Sequence, residues 1–436
     1  MDFNVKSKTE NRNTKIVVVG AGTSGASLSI RLARENFAVC LIERERFPRH
    51  KLCGEFISPE CFRHFQDLNV LDALLKAGGE RISQTIFYAT GGKSVAVPSK
   101  WFGADLRDAL SLSRAEMDFR LLERAKKVGV EVLEDTSAVG ILFENDKIQG
   151  VKIKTLNGAT REVCADLFVD ATGRASVLAK LAEKEFHRRD AGIMSRTNYK
   201  AGKFQISNSK NEKLKTGKLI QNSKYKVQNR LVGFKTHLKD VSLERGACEI
   251  YFFRGGYGGL SYVESNRANH CFLMRADVVK EFTGDANKIV EQVIFQNKRA
   301  RETMKDATQV FDWLAVSVDG FGAKNLNPAP NLFTVGDAAA FIDPFTGSGM
   351  LTALESAEIL AETIAENSSA PAKIAEIYKR LHGEKFQKRL RVCSLLRRAA
   401  FAPNFARLAI TALSASVRAR EILARATRQN RFGGRK

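Results

Sequence analysis

This chain has no run of about 18 consecutive apolar residues, which excludes a helix crossing the hydrocarbon core of a bilayer. Residues 1–15 are polar and lack the apolar block of a secretory signal. Together these absences predict a cytoplasmic protein. The seven cysteines, Cys40, Cys53, Cys61, Cys164, Cys248, Cys271 and Cys393, are odd in number and contain no CxxC pair, so neither a disulfide framework nor a zinc site is expected. The six histidines show no metal-ligand spacing either, and no metal is expected. Tryptophan is scarce, with only Trp101 and Trp313.

Acidic residues are scarce at the C-terminal end. Residues 371–436 hold 17 Lys or Arg against three Glu and no Asp, a net charge of +14 within a chain of net +22. Apolar residues such as Leu395, Leu408, Ile410, Leu413, Val417, Ile422 and Leu423 interleave with Arg397, Arg407, Arg418, Arg420 and Arg425. That is the pattern of basic amphipathic helices, which either pack on the parent domain or lie on anionic lipid. Basic charge without a recognition module does not point to nucleic acid.

What is present is an ordinary globular balance, 44% hydrophobic and 27% charged over 436 residues, enough for two or three structural units. Residues 15–20 read as a buried parallel strand, 26–35 as a helix and 38–43 as the next strand, a βαβ unit. A helix over 114–128 leads to a strand over 131–134, with further strand-like stretches at 138–143 and 152–155. Between about 198 and 274 the apolar stretches change character and predict antiparallel strands at 231–238, 247–253, 257–263 and 270–274. Helical patterning returns over 286–304, and a strand over 332–335 restores the parallel-sheet signature. Residues 208–226, rich in lysine and asparagine, read as an exposed insertion.

The chemistry begins at Gly20-Ala21-Gly22-Thr23-Ser24-Gly25, between the first strand and helix. Gly20 permits the tight turn, Gly22 lets the backbone approach a pyrophosphate, and Gly25 allows close packing of helix on strand. The helix N-terminus, with Thr23 and Ser24, offers N–H groups to phosphate. Glu43, followed by Arg44, ends the second strand at the spacing that suits hydrogen bonds from an unphosphorylated ribose. This turn alone does not distinguish FAD from NAD.

A second segment, Gly336-Asp337-Ala338-Ala339-Ala340-Phe341-Ile342-Asp343-Pro344-Phe345-Thr346-Gly347-Ser348-Gly349-Met350, resembles the second flavin-binding segment of the p-hydroxybenzoate hydroxylase, geranylgeranyl reductase and flavin halogenase superfamily. The similarity is greatest to the geranylgeranyl reductase-like branch. The resemblance implies that Asp337 binds the ribityl chain of FAD and that Gly347, Gly349 and Met350 lie against its ring. It extends to Asp170-Ala171-Thr172-Gly173-Arg174, where Asp170 and Gly173 would support the nucleotide site, to Arg114 as a pyrophosphate contact, and to Val132 at the adenine. Arg49 resembles the family arginine at the FAD entrance, and Cys53-Gly54 the pair beside the flavin. Cys53, Gly54, Pro344 and Gly347 are thus the candidate ring neighbourhood. The resemblance covers about residues 15–361.

The fold so implied is α/β: a discontinuous Rossmann-like FAD-binding domain of the glutathione reductase type (15–85, 104–185 and 315–370), an inserted antiparallel substrate domain (86–103 and 186–314), and a basic helical region (371–436). The implied activity is that of a FAD-dependent oxidoreductase. An NAD(P)H-driven monooxygenase acting on a small hydrophobic molecule is preferred to a reductase of carbon–carbon double bonds. NAD(P)H would bind transiently, because Gly255-Gly256-Tyr257-Gly258-Gly259 follows no strand-to-helix pattern. Two tryptophans cannot form the halogenase Trp-x-Trp-x-Ile-Pro motif. The Tyr-x-Trp-x-Phe-Pro segment of geranylgeranyl reductases is reduced here to Tyr257. Phe252, Phe253, Tyr257, Leu260 and Tyr262 are candidate pocket residues. From another class, a lipid-binding chaperone resembling GDP-dissociation inhibitor shares the fold without flavin chemistry.

Overall fold

The computed structural model describes residues 14–102, 108–144, 146–190, 230–401 and 405–427; the expected insertion at 208–226 lies outside them. The chain opens with β1 (Lys15–Val19), α1 (Thr23–Arg34) and β2 (Ala38–Ile42), and the two strands pair in parallel. It then crosses to a second sheet with β3 (Gln84–Tyr88) and β4 (Ser94–Pro98) before returning as α2 (Arg114–Lys127), β5 (Glu131–Leu133) and β6 (Leu167–Asp170). Four strands follow in the second sheet: β7 (Leu231–Lys239), β8 (Ala247–Phe253), β9 (Gly256–Val263) and β10 (Arg267–Arg275). After β11 (Leu314–Val318) and β12 (Leu332–Thr334), the chain ends in four described helices. These are α3 (Gly349–Asn367), α4 (Pro371–Ala400), α5 (Phe405–Ser414) and α6 (Val417–Ala426).

The first sheet has the order β12–β6–β1–β2–β5 and is parallel throughout. Its strands are almost continuously apolar because both faces are covered. On one side Leu28, Leu121, Leu354 and Tyr378 bring α1, α2, α3 and α4 into a single core; on the other, Val17, Ile42 and Phe168 pack on Ile148, Ile153 and Leu178. α2 starts where Ser113 accepts from the Glu116 N–H, a side-chain cap that satisfies an otherwise unpaired donor.

The second sheet runs β7–β10–β9–β8–β3–β4, with β11 added beside β7. Three details differ from the sequence reading. The β3–β8 pair is parallel, since β3 enters from the dinucleotide domain rather than from a hairpin. β11 pairs antiparallel with β7, so the chain is still in the substrate sheet at residue 315. The helical stretch at 286–304 is broken into Ala286–Gln292, a turn at Ile294–Gln296, and Lys298–Met304. Asn297 makes that break: its side-chain oxygen caps the last helix at the N–H groups of Arg299 and Ala300, and its amide donates to the carbonyls of Tyr88 and Phe252.

Candidate flavin site and substrate cavity

The glycine turn is built as its spacing requires. Gly20 has φ +102, and a Cβ there would fall 2.5 Å from the Ala171 carbonyl oxygen; a Cβ at Gly25 would fall 1.8 Å from the Gly20 oxygen. Gly22 is different. A Cβ there would meet only the tips of Arg114 and Lys51, each 3.7 Å away. Two cationic side chains therefore stand over the one glycine of the turn that is open to the cavity.

Those cations are held in place. Asp118, fully buried, accepts from Arg114 Nε (3.0 Å) and Nη2 (2.7 Å) and from Arg49 Nη1 (2.9 Å). Burial alone would raise the Asp118 carboxyl, but Arg114 and Arg49 hold it below the usual carboxylate range. Lys51 is exposed as a residue, but its amine sits over Gly22 and is drawn down to about 8 by desolvation there and then by the adjacent Arg114 and Arg49. Glu43 accepts from the Ala21 N–H (2.8 Å) and the Glu45 N–H (3.1 Å), which fixes its carboxylate at the end of β2 beside the turn.

The second segment locks onto the first. Gly336 has φ +62, and a Cβ there would fall 2.6 Å from Ser24 Oγ. Asp337 lines the cavity; burial raises its carboxyl, opposed by Lys51, Arg174, Arg114 and Lys324. Asp343, 3% exposed, accepts from the Phe345 N–H (2.8 Å) and the Tyr257 hydroxyl (2.9 Å), tying this segment to the substrate sheet.

These elements enclose a cavity of about 400 Å³. At one end it is lined by Gly22, Thr23, Ser24, Arg114, Gly173 and Asp337, and in the middle by Cys53, Gly54, Pro344, Gly347, Gly349 and Met350. The other end is hydrocarbon: Phe87, Val95, Val97, Ile250 and Phe252 from the sheet, roofed by Ile410 and Leu413 of α5 and Leu423 of α6. Of the candidate pocket residues, Phe252, Tyr257 and Leu260 line this space. Phe253 and Tyr262 instead pack in the core on the opposite face of the sheet.

Gly20, Gly25 and Gly336 shape the turns without lining the cavity, and Glu43 and Arg49 stand behind it. Arg44 points outward, 71% exposed, and pairs with Glu45 at 3.1 Å. Val132 lies on the edge strand opposite Leu41. The Asp170 carboxylate is spent on its own loop, accepting from the Thr172 N–H and hydroxyl and from the Ala179 N–H.

Sequence reasoning missed the charged cluster behind the Cys53 loop. Glu55, fully buried, accepts from Lys235 Nζ, His237 Nε2 (2.8 Å) and the Arg114 N–H (2.7 Å). Burial would raise its carboxyl; Lys235 and His237 hold it low. These partners lie some 180 residues away in the chain, so no local pattern marks them. Asp118 had a signal, the i,i+4 spacing to Arg114. Elsewhere the ligand atoms of His64, Asp67 and Glu358 lie within 4.8 Å of one another, but Arg31 and Arg63 pair with Glu358 at 3.4 and 3.3 Å.

The site fits FAD. A glycine turn open to a helix N-terminus, with Lys51 and Arg114 above it, suits a diphosphate; Glu43 suits ribose hydroxyls; Asp337 and the Gly347–Met350 turn suit a ribityl chain and a flat ring. A family model described as FAD binding domain matches residues 13–382, and the chain belongs to that family. It is a flavoprotein, an FAD-dependent oxidoreductase in a superfamily of reductases, halogenases and monooxygenases. Among curated relatives, digeranylgeranylglycerophospholipid reductase 2 of Methanopyrus kandleri is 26% identical over 373 residues, 84% of this chain and 80% of that protein. Tryptophan 2-halogenase of Chondromyces crocatus is 23% identical over 387 residues, 86% of this chain but 66% of that one. Among solved structures, a geranylgeranyl bacteriochlorophyll reductase-like protein of Thermoplasma acidophilum has a TM-score of 0.69 at 18% identity, covering 94% of this chain and 95% of that one. These relatives lend no support to the chaperone alternative.

Proposed function

We propose that this protein reduces a carbon–carbon double bond in an extended apolar molecule, using NAD(P)H as the transient reductant. The observation that carries this reading is the lining of the cavity's far end, where, among the described residues, hydrocarbon is joined only by thiols, hydroxyls and the guanidinium of Arg420. Hydroxylation of a phenol needs a base to take the hydroxyl proton; Glu55, a carboxylate that lines the cavity, is committed to Lys235 and His237. An isolated alkene needs no such base. For that reason the geometry favours reduction over the hydroxylation preferred from sequence.

FAD, held by the turn and the Gly347–Met350 segment and reduced by NAD(P)H, would supply the hydride. The chain supplies orientation, a dry chamber and a proton. Asp118 aims Arg114, Arg49 stands beside it, and the Glu55 cluster pins the loop that carries Cys53. That loop is also held by Asn269 Nδ2, which donates to the Cys53 carbonyl at 3.2 Å. The Cys53 thiol lies in the cavity beside the Arg114 guanidinium. Given to the carbon next to the one that takes the hydride, its proton completes the reduction, and the thiolate left behind faces a positive charge. Two relatives of comparable length being named as reductases of unsaturated lipids supports this choice.

The test is anaerobic. Enzyme reduced with NAD(P)H is mixed with an isoprenoid lipid bearing isolated double bonds, and flavin absorbance and product mass are followed. Reoxidation without oxygen and a gain of two hydrogens are expected; a product that forms only with oxygen and carries an added oxygen atom overturns the reading.

A further inference from the structure

The C-terminal helices have two apolar faces. On α5 the residues turned inward are Ala406, Ala409, Ile410 and Leu413, and on α6 they are Arg420, Leu423, Ala424 and Thr427; all line the cavity. Their spacing of three and four is that of one helix face.

Their outer sides carry a second apolar set. Among the described residues five large hydrophobic side chains are strongly exposed, and four lie on the last three helices: Leu395 of α4 (65%), Leu408 of α5 (69%), and Val417 and Ile422 of α6 (58% and 61%). Exposed arginines stand beside them, Arg391 on α4, Arg407 on α5, and Arg418 and Arg425 on α6. Acidic residues are nearly absent from the region, and Glu421, the one acidic residue within α5 and α6, is already paired to Arg425 at 2.5 Å. Exposed apolar side chains beside arginines that outnumber the acids, with α5 and α6 only ten residues long each, suit shallow insertion into an anionic bilayer. No described helix is long and apolar enough to cross one.

We propose that α5 and α6 dock on the surface of an anionic bilayer, with Leu408, Val417 and Ile422 entering the acyl boundary and the arginines holding lipid phosphates. Because the reverse side of the same two helices roofs the cavity, the docked face is also the wall nearest the substrate's source. This rests on the reading that the cavity takes an apolar molecule, and it extends that reading by naming where the molecule comes from. Net charge complements lipid phosphate, whereas a second copy of this chain would set arginine against arginine.

The experiment is co-sedimentation of the full-length, FAD-loaded protein with vesicles of phosphatidylcholine alone or with about 30% phosphatidylglycerol. Neither needs a substrate, so failure here is distinguishable from failure of the proposed reaction. Wild type is expected to pellet with the anionic vesicles and to be released by high salt. L408Q/I422Q, which leaves charge unchanged, is expected to lose roughly tenfold or more in partitioning, and R407Q/R418Q to lose its preference for the anionic vesicles. Flavin absorbance and circular dichroism of each sample show that the fold and the cofactor are retained. Wild type remaining in the supernatant, or L408Q/I422Q pelleting like wild type, overturns the proposal. So does a dimer that L408Q/I422Q dissolves while vesicle binding stays the same.

Discussion

Gly22 and Gly25 belong to one short motif, yet the structure separates their jobs, and alanine at each tests that separation. At Gly25 a Cβ would fall 1.8 Å from the Gly20 carbonyl oxygen and 3.0 Å from the Ala171 Cβ. Nothing flexible can yield. G25A is therefore expected to cost at least about 3 kcal/mol of apoprotein stability, the upper range for overpacking. At Gly22 the backbone has φ −69 and the nearest atoms to a Cβ are two side-chain tips at 3.7 Å. G22A should leave apoprotein stability within about 1 kcal/mol of wild type, since alanine suits that conformation. The added methyl stands where a diphosphate must approach the backbone; displacing it by about 1–3 kcal/mol weakens FAD roughly five- to 150-fold. Urea unfolding of the apoproteins and FAD titration by flavin fluorescence give the two numbers. Wild-type FAD affinity in a well-folded G22A would refute the placement of the diphosphate, and normal stability in G25A would refute the packing argument.

The Lys51 amine, drawn down to about 8 from an ordinary 10.5, makes the native apoprotein bind fewer protons than the unfolded chain between those values, so this group makes stability rise with pH across that window. A diphosphate favours the charged amine, so FAD affinity is expected to weaken as pH climbs through about 8. FAD titrations should show that slope flattened in K51M. Arg389 of α4, 3% exposed, donates to Glu355 of α3 at 3.0 Å; R389M removes one of the two cations on that buried carboxylate, leaving Lys385 at 3.4 Å, and should lower stability by about 1–3 kcal/mol in urea. L413W fills the hydrocarbon end of the cavity. Its expected signature is wild-type FAD affinity with a raised KM for the lipid substrate, and unchanged kinetics would remove Leu413 from the substrate wall.

Much of the site was legible because the dinucleotide turn is local. Gly20, Gly22, Gly25 and Glu43 fall within one βαβ unit, where strand, turn and helix impose their own spacing on the sequence. The second segment was legible by resemblance to a family. The strands of the substrate sheet showed as apolar stretches, because a strand carries its pattern in itself. Their partners did not show: nothing near Gln84–Tyr88 reveals that it pairs in parallel with Ala247–Phe253, and nothing near Asp170 reveals that its carboxylate accepts from the Thr172 and Ala179 N–H groups.

The sequence by itself determined the cofactor, since the residues that shape a diphosphate turn are neighbours in the chain and owe their identity to backbone geometry. Tertiary structure alone decided the apolar end of the cavity. Its walls come from β3, β8, α5 and α6, far apart in sequence, and its charged support joins Glu55 to Lys235 and His237. An apolar residue carries the same pattern whether it faces a core, a cavity or a bilayer, and only packing tells these apart: Ile410 and Leu413 turn inward while Leu408 turns out.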